Sequence, residues 1–149
     1  MAVLLKKVSL KDVDIVGEME KIGDSRTYHA FIKEKEIKEY IENDSVFFIK
    51  DGNIVVGLIS FSIKQKTASF GGLIIRPEFR RMGYARKALS LALKKLNEYR
   101  NIDLIVHPHN SSAILLYLSS GFEIESWKDN YFKDGEPRLK MVFKNGKRN

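Results

Sequence analysis

A short basic segment in the middle of the chain has the residue types of an anion-binding site. It consists of Arg80-Arg81-Met82-Gly83-Tyr84-Ala85, followed by Arg86, and it joins a strand-like stretch ending near Ile75 to a strongly periodic helical stretch. Because glycine has no Cβ, consecutive backbone N–H groups in such a loop can face one anion, and the helix N-terminus adds about half a positive charge. The arginines add cationic donors, so residues 80–86, here called the basic loop, suit a diphosphate. The alternative is a solvated basic loop with a glycine turn.

A second set of residues surrounds a tyrosine further along the chain. Asn110, Ala113 and Tyr117 follow one another at helical spacing, and Gly121-Phe122 ends the pattern, with the asparagine as a helix cap and the glycine just past the helix. A phenol can donate a proton in a reaction, but a core aromatic on an amphipathic helix has the same spacing. Both interpretations stay open on the residues alone.

The three histidines are further candidates for proton transfer. His107 lies two residues past Ile105 in a short apolar strand, so an extended backbone places both side chains on one face. A neutral imidazole there can accept a proton, whereas a loop histidine before Pro108 would be structural. His29 and His109 have weaker placements, and the histidines lack the carboxylate pattern of a metal site.

The composition limits what the chain can be. Its 149 residues are 44% hydrophobic, which suits a single domain over residues 1–149. The net charge of +7 attracts anionic ligands, nucleic acid or acidic surfaces. The absence of cysteine excludes a disulfide framework, a thiolate zinc site, an iron–sulfur cluster and a cysteine nucleophile. No apolar run approaches the roughly 20 residues that cross a bilayer, so we expect a cytoplasmic protein without a membrane partner.

Hydrophobic periodicity predicts the elements that position these residues. Helices are expected over about 9–19, 31–43, 85–99 and 111–118. Strands are expected over about 3–8, 46–49, 54–61, 67–75, 102–106, 122–127 and 138–144, with residues 145–149 fraying. The resulting order, β-α-α-β-β-β-α-β-α-β-β, predicts a fold of the α/β (α+β) class.

These motifs and their order resemble the GNAT superfamily of acyl-CoA-dependent N-acetyltransferases. The family signature Gln/Arg-x-x-Gly-x-Gly/Ala after a strand is met by residues 80–85, and Asn-x-x-Ala-x-x-x-Tyr-x-x-x-Gly-Phe by residues 110–122. The resemblance implies a mixed, mostly antiparallel central sheet of about seven strands, flanked by about four helices and splayed between the fourth and fifth strands. It also implies acetyl-CoA as co-substrate and no metal.

The same resemblance assigns roles to individual residues. The backbone of residues 73–75 is expected to pair with the pantetheine arm like an added strand, and the basic loop to hold the pyrophosphate. Asn110 would lie beside the cofactor, and Tyr117 would protonate the departing thiolate. The predicted cofactor-binding residues are Leu73, Ile74, Ile75, Arg80, Arg81, Met82, Gly83, Tyr84, Ala85, Arg86 and Asn110, and the predicted catalytic residues are Tyr117 and His107.

The base that deprotonates the amine is not carried over from the family. Many relatives have a glutamate on the third strand or on the strand before the motif asparagine, but the corresponding stretches here, residues 68–72 and Ile105, contain no carboxylate. His107 is therefore the predicted base, with a strand N–H near Ile75 stabilising the oxyanion. Further candidates for the acceptor site are Glu20, Asp24 and Tyr131.

The tail of the chain bears on the acceptor. Residues 130–141 partly match the Tyr-Tyr-x-x-Gly-x-x-Ala-x-x-Met tail of peptide N-terminal acetyltransferases, with Phe132 and Arg138 as the departures. We expect a protein or peptide α-amine as acceptor, a small-molecule amine or polyamine as the alternative, and a monomer or homodimer. The alternatives from another class are a non-catalytic CoA-binding module and a nucleic-acid-binding module. Only Phe79 and Tyr84 interleave stacking rings with the basic loop, which disfavours nucleic acid.

Overall fold

The computed structural model describes residues 1–143 as alternating strands and helices. The strands are β1 (Val3–Lys7), β2 (Ser45–Asp51), β3 (Ile54–Lys64), β4 (Thr67–Ile75), β5 (Asn101–Val106), β6 (Phe122–Lys128) and β7 (Arg138–Phe143). The helices are α1 (Val13–Gly23), α2 (Glu34–Asn43), α3 (Tyr84–Lys95) and α4 (Ser111–Ser119), with short 3-10 turns at Leu10–Asp12 and Pro77–Phe79. The predicted extension of the last strand to Lys144 and the fraying of residues 145–149 lie outside the described residues.

The strands form one sheet in the order β1-β2-β3-β4-β5-β7-β6. Neighbours are antiparallel except for β4 and β5, which run parallel. This parallel pairing covers only residues 67–70 of β4 and residues 101–104 of β5. Beyond these residues the two strands separate, and the second half of β4 has an open edge. The predicted fold class and the predicted splay are confirmed.

A bulge in β4 lies where the splay begins. The register against β3 shifts so that Gly71 and Gly72 together oppose Ser60. The buried Ser60 hydroxyl accepts the Gly72 N–H at 2.9 Å and the Tyr40 O–H at 2.5 Å. A Cβ on Gly72 would stand 2.7 Å from the hydroxyl of Tyr28, so the glycine lets that hydroxyl approach the strand closely.

Helices cover both faces of the sheet. On one face α1 and α2 enclose a small core with Val16, Met19 and Ile41 at its centre. On the other face α3 packs Ala88 and Leu89 against a larger core shared by most strands. The alternation of side chains along the strands supplies both cores.

Three predicted helix boundaries are corrected. The capping pair of Ser9 and Asp12, whose N–H to carboxylate distance is 3.0 Å, closes a 3-10 turn ahead of α1 rather than α1 itself. The helix predicted from residue 31 begins at Glu34, because Lys33 is the N-cap with an extended backbone and its N–H donates to the Glu36 carboxylate at 3.2 Å. The long basic helix ends at Lys95, four residues before Tyr99. No helix within residues 1–143 has the length and apolarity to span a membrane.

Candidate active site

The basic loop enters α3 through a glycine in a left-handed conformation. Gly83 is the N-cap with φ +89°, and no side chain caps the helix. A Cβ on Gly83 would meet nothing within 4 Å, so the face of the loop is open, and the first turn of α3 carries no acidic residue. The uncapped N–H groups and the helix dipole therefore present a positive, unobstructed surface of the kind that binds phosphate.

The side chains of the basic loop are placed unequally around this surface. Arg80 donates its Nε–H to the Ile75 carbonyl at 2.9 Å and so ties the loop to the end of β4. Tyr84 turns inward and donates to Asp51 at 2.5 Å, which leaves only its backbone for a ligand. Arg86 lines a groove of about 500 Å³ along α3 and the end of α4. The loop therefore offers an anion its backbone N–H groups together with the guanidinium groups of its arginines, of which Arg80 is partly engaged by the Ile75 carbonyl.

The open edge of β4 presents peptide groups of alternate residues. The Arg76 N–H donates to the Val56 carbonyl of β3 at 2.8 Å. Since antiparallel bonding alternates along a strand, Ile74 also points its peptide groups to β3, while Leu73 and Ile75 point theirs into the splay. A ligand amide in the splay would therefore find the groups of Leu73 and Ile75, although the Ile75 carbonyl is shared with Arg80.

Tyr117 and Asn110 occupy opposite ends of α4. The Asn110 side chain accepts the Ala113 N–H at 3.4 Å, so it caps the helix as the sequence predicts. Tyr117 packs its ring 5.7 Å from that of Phe122, and within residues 1–143 no group hydrogen-bonds its hydroxyl. Burial raises the pKa of Tyr117 to about 12, which keeps the phenol protonated at neutral pH. The side chain has the protonation state that a proton donor needs.

A buried carboxylate of α1 and a partly buried phenol of the α1–α2 connection are hydrogen-bonded to each other. Glu20, on α1, is fully buried and accepts the Tyr28 O–H at 2.9 Å and the Phe31 N–H at 3.0 Å. Burial raises the pKa of Glu20 and raises that of Tyr28 well above its usual value. The Tyr117 phenol makes the smallest of the contributions that raise the pKa of Tyr28.

The sequence named Glu20 only as a candidate for the acceptor site, without placing it in the fold, and missed Tyr28. One signal for Glu20 was present, since it directly follows Met19 at the end of the buried stripe of α1, a place where a carboxylate needs a partner. Tyr28 lies in an aperiodic connection whose position the sequence does not specify.

His107 is buried, and both of its ring nitrogens are engaged. Its Nδ1 accepts the backbone N–H of His109 at 3.0 Å, and its Nε2 lies 2.6 Å from Glu136. The first contact requires a lone pair on Nδ1, so Nε2 carries the proton and donates it to the carboxylate. The hydrogen bond from His107 lowers the pKa of Glu136. The base role predicted for His107 stays a prediction, and this tautomer leaves the ring no free lone pair for it.

Near the two positions where many relatives carry the catalytic glutamate, the carboxylate of Asp103 is already hydrogen-bonded. Ser69 donates its hydroxyl to Asp103 at 2.5 Å, across the parallel pair of β4 and β5. Asp103 also lies 4.0 Å from the Lys140 ammonium. Within residues 1–143, no set of three or more histidines and carboxylates is arranged to hold a metal ion.

A cleft of about 370 Å³ opens between the α1–α2 connection and the β6–β7 connection. It is called the acidic cleft here, since three of its side chains are carboxylates. Two of these are paired within the chain: Glu136 with Arg26 at 3.1 Å, and Asp134 with Arg138 at 3.1 Å. Asp24 is exposed and forms no ion pair with a described residue. The lining residues are Asp24, Ser25, Arg26, Tyr28, His29, Ala30, Asp134 and Glu136.

Stacked rings support one wall of the acidic cleft. His29 stacks on Phe132 at 4.6 Å, and Arg138 lies 5.1 Å beneath the same ring. Tyr131 meets Phe132 edge-on at 4.9 Å and is about half exposed, but it is not part of the lining. The structure therefore brings Asp24 to the cleft and leaves Tyr131 beside it.

The comparisons with known proteins agree with this geometry. A model of the acetyltransferase (GNAT) family matches residues 17–122. The fold is similar to the Escherichia coli ribosomal-protein-S18-alanine N-acetyltransferase, with a TM-score of 0.78 and 21% identity over 95% of this chain and 92% of that one. It is also similar to a spermidine N-acetyltransferase chimera from Vibrio cholerae and hSSAT, with a TM-score of 0.82 and 22% identity over 99% and 98%.

A third similar fold is that of the IAA acetyltransferase from Bacillus cereus, with a TM-score of 0.76 and 15% identity over 95% and 99% of the two chains. A search by sequence against curated proteins found no match. The matched family region covers most of the chain and includes the basic loop, the splayed strands and Tyr117. The chain therefore belongs to the GNAT acetyltransferase family of acyltransferases, which take their acetyl group from acetyl-CoA.

Proposed function

We propose that this N-acetyltransferase modifies the α-amine of a peptide or protein. The observation that supports this acceptor is the charge balance of the acidic cleft. Asp134 and Glu136 are already neutralised by arginines of the same chain, which leaves Asp24 as the carboxylate open to a cation. One open carboxylate suits one ammonium group, whereas a polyamine with several ammonium groups would need several. The partial resemblance of residues 130–141 to the tail of peptide N-terminal acetyltransferases supports the same acceptor.

The reaction in this proposal is direct transfer at the splay. The basic loop holds the pyrophosphate of acetyl-CoA, and the open Leu73 carbonyl and Ile75 N–H pair with the pantetheine amides. The Leu73 N–H, next to the bulge, is our candidate for the oxyanion donor, instead of the expected strand N–H near Ile75. The amine nitrogen attacks the thioester carbonyl, and the Tyr117 phenol gives its proton to the departing thiolate.

An acceptor panel tests the proposal with purified protein and acetyl-CoA. The panel contains a short peptide with a free N-terminal alanine, the same peptide with a blocked N-terminus and one internal lysine, and spermidine. We expect kcat/KM for the free α-amine to exceed the other two values at least about tenfold, or roughly 1.4 kcal/mol. A preference for spermidine would contradict the peptide acceptor. CoA binding without turnover on any amine would indicate the non-catalytic alternative.

A further inference from the structure

We propose that Tyr28 and Glu20 form the route by which the bound ammonium group loses its proton, with Tyr28 as the group that touches the amine and Glu20 as the acceptor behind it. The proposal deepens the proposed function and rests on it. It supplies a base where the family positions have no carboxylate and where both ring nitrogens of His107 are hydrogen-bonded.

Tyr28 connects the acidic cleft to the reaction site. It lines the cleft, and its hydroxyl lies beside Gly72 at the β4 bulge, where a Cβ would be only 2.7 Å away. The next residue, Leu73, directs its N–H into the splay, where the thioester is expected. An amine that enters through the cleft and attacks a carbonyl held at Leu73 must therefore pass the Tyr28 hydroxyl.

Glu20 is held in the form that can accept a proton. Both carboxylate oxygens accept a hydrogen bond, one from Tyr28 and one from the Phe31 N–H, and a protonated carboxyl would give up part of this bonding. Complete burial makes the carboxylate more basic than a surface glutamate. The titratable groups around it are Asp24 on the same segment, Tyr28, and Tyr40 on α2.

The protons balance in this scheme. The ammonium donates one proton to the Tyr28 oxygen while the Tyr28 O–H passes its own to Glu20, so the phenol never becomes a phenolate, in keeping with its high pKa. The free amine forms the new C–N bond, and the C–S bond then breaks. Tyr117 protonates the thiolate and recovers a proton from the nitrogen. Of the two protons lost by the ammonium, one leaves with the thiol and one reaches solvent from Glu20.

The test is the pH dependence of two substitutions on the free-α-amine peptide. An α-amine titrates near about 8, so at about pH 6 only roughly one amine in 100 is unprotonated, whereas at about pH 9 most are. Without the relay the enzyme must wait for a free amine. We expect Glu20→Gln and Tyr28→Phe each to lower kcat/KM about 10²-fold at the lower pH and only a few-fold at the higher pH. The double variant should be no worse than either single one, because both act in one route.

Controls separate this role from a structural one. Glu18→Gln changes an exposed carboxylate of the same helix, and Tyr99→Phe removes a phenol far from the splay, so both should keep kcat/KM within about twofold of wild type. Tyr28→Phe keeps the hydrogen bond from the Phe31 N–H to Glu20. It therefore tests the relay even if Glu20→Gln does not fold. Calorimetry with acetyl-CoA checks that the cofactor site is intact.

Each outcome decides the proposal. A deficit that shrinks as the pH rises supports it. An equal deficit at both pH values would mean that Glu20 only holds the α1–α2 connection in place, and no deficit would mean that it has no role in turnover. Either result would overturn the relay while leaving the acetyltransferase function standing. Wild-type protein that acetylates none of the panel amines would instead overturn the proposed function, and the relay with it.

Discussion

The two sides of the splay that the proposed function assigns to the cofactor and to the acceptor, called the cofactor side and the acceptor side, present different chemical groups. The cofactor side consists of the basic loop and the open edge of β4, and it presents mainly backbone groups from one continuous stretch of chain. The acceptor side consists of the α1–α2 and β6–β7 connections, and it presents side chains from segments about a hundred residues apart, such as Arg26 and Glu136. Backbone recognition depends on local conformation, whereas side-chain recognition depends on how distant segments meet.

This difference predicts that substitutions on the two sides have separable effects. A change on the cofactor side should weaken acetyl-CoA binding and leave the KM for the acceptor unchanged. A change on the acceptor side should raise the KM for the acceptor and leave the acetyl-CoA affinity unchanged. Tyr117 stands at the boundary and should affect turnover without affecting either binding step.

The largest expected effect comes from Tyr117→Phe. The substitution keeps the ring packed against Phe122 and removes only the hydroxyl, so kcat should fall about 10²-fold or more if chemistry limits the rate, with acetyl-CoA affinity unchanged. Because burial raises the pKa of Tyr117 to about 12, the wild-type phenol keeps its proton throughout the ordinary assay range. The wild-type pH profile should therefore lack an alkaline limb from this group below about pH 10. Full activity in the variant would remove the proton donor from the scheme.

Gly83→Val should have the next largest effect, confined to the cofactor side. At φ +89° a β-branched residue is strained, and relief of this strain would move the N–H groups that face the anion. We expect acetyl-CoA affinity to fall at least about tenfold, roughly 1.4 kcal/mol. Calorimetry measures this affinity. An unchanged affinity would show that the loop does not hold the pyrophosphate, and a change in peptide KM alone would break the separation of the two sides.

Asp24→Asn should have a smaller effect, on the acceptor side only. The substitution removes the one cleft carboxylate without an ion pair among the described residues, and an exposed charge pair contributes about 0.2–1 kcal/mol. The KM for the free-α-amine peptide should rise about two- to fivefold, and the rise should diminish at high salt. Steady-state kinetics at two ionic strengths measures both. A change in acetyl-CoA affinity would contradict the placement of Asp24 on the acceptor side.

His107→Gln should have the smallest effect on the pH profile. The ring nitrogens of His107 are occupied by His109 and Glu136, and an amide can still donate to the carboxylate. We expect the acidic limb of kcat/KM to keep its midpoint, with the free energy of unfolding lowered by about 1–2 kcal/mol. Loss of that limb would establish His107 as the base and remove the need for Glu20.

The sequence predicted the basic loop and both ends of α4 because their signals are local. The glycine turn at Gly83, the Asn110 cap and the glycine just past α4 at Gly121 each depend on residues within a few positions of each other. The order of the elements along the chain followed from periodicity, and the splay between β4 and β5 from the family resemblance; the insertion of β7 between β5 and β6 was not predicted. Helix starts were less accurate, because α2 begins only after the extended Lys33, whose N–H donates to the Glu36 carboxylate, although the hydrophobic pattern extends back to Phe31.

The placement of the side chains on the acceptor side depends on the tertiary structure. His107 was expected to face the site with a free nitrogen, but the His109 amide and a carboxylate 29 residues away occupy its ring. Tyr28 enters the proposed relay only because the tertiary structure brings its hydroxyl against Gly72 at the β4 bulge. Neither arrangement has a sequence period, since each depends on loops that meet across the sheet. What the sequence determined by itself was the GNAT motifs, the order of the elements and the place of the basic loop ahead of α3. Which side chains line the acidic cleft was decided by long-range packing, because contacts between distant loops leave no local pattern in the chain.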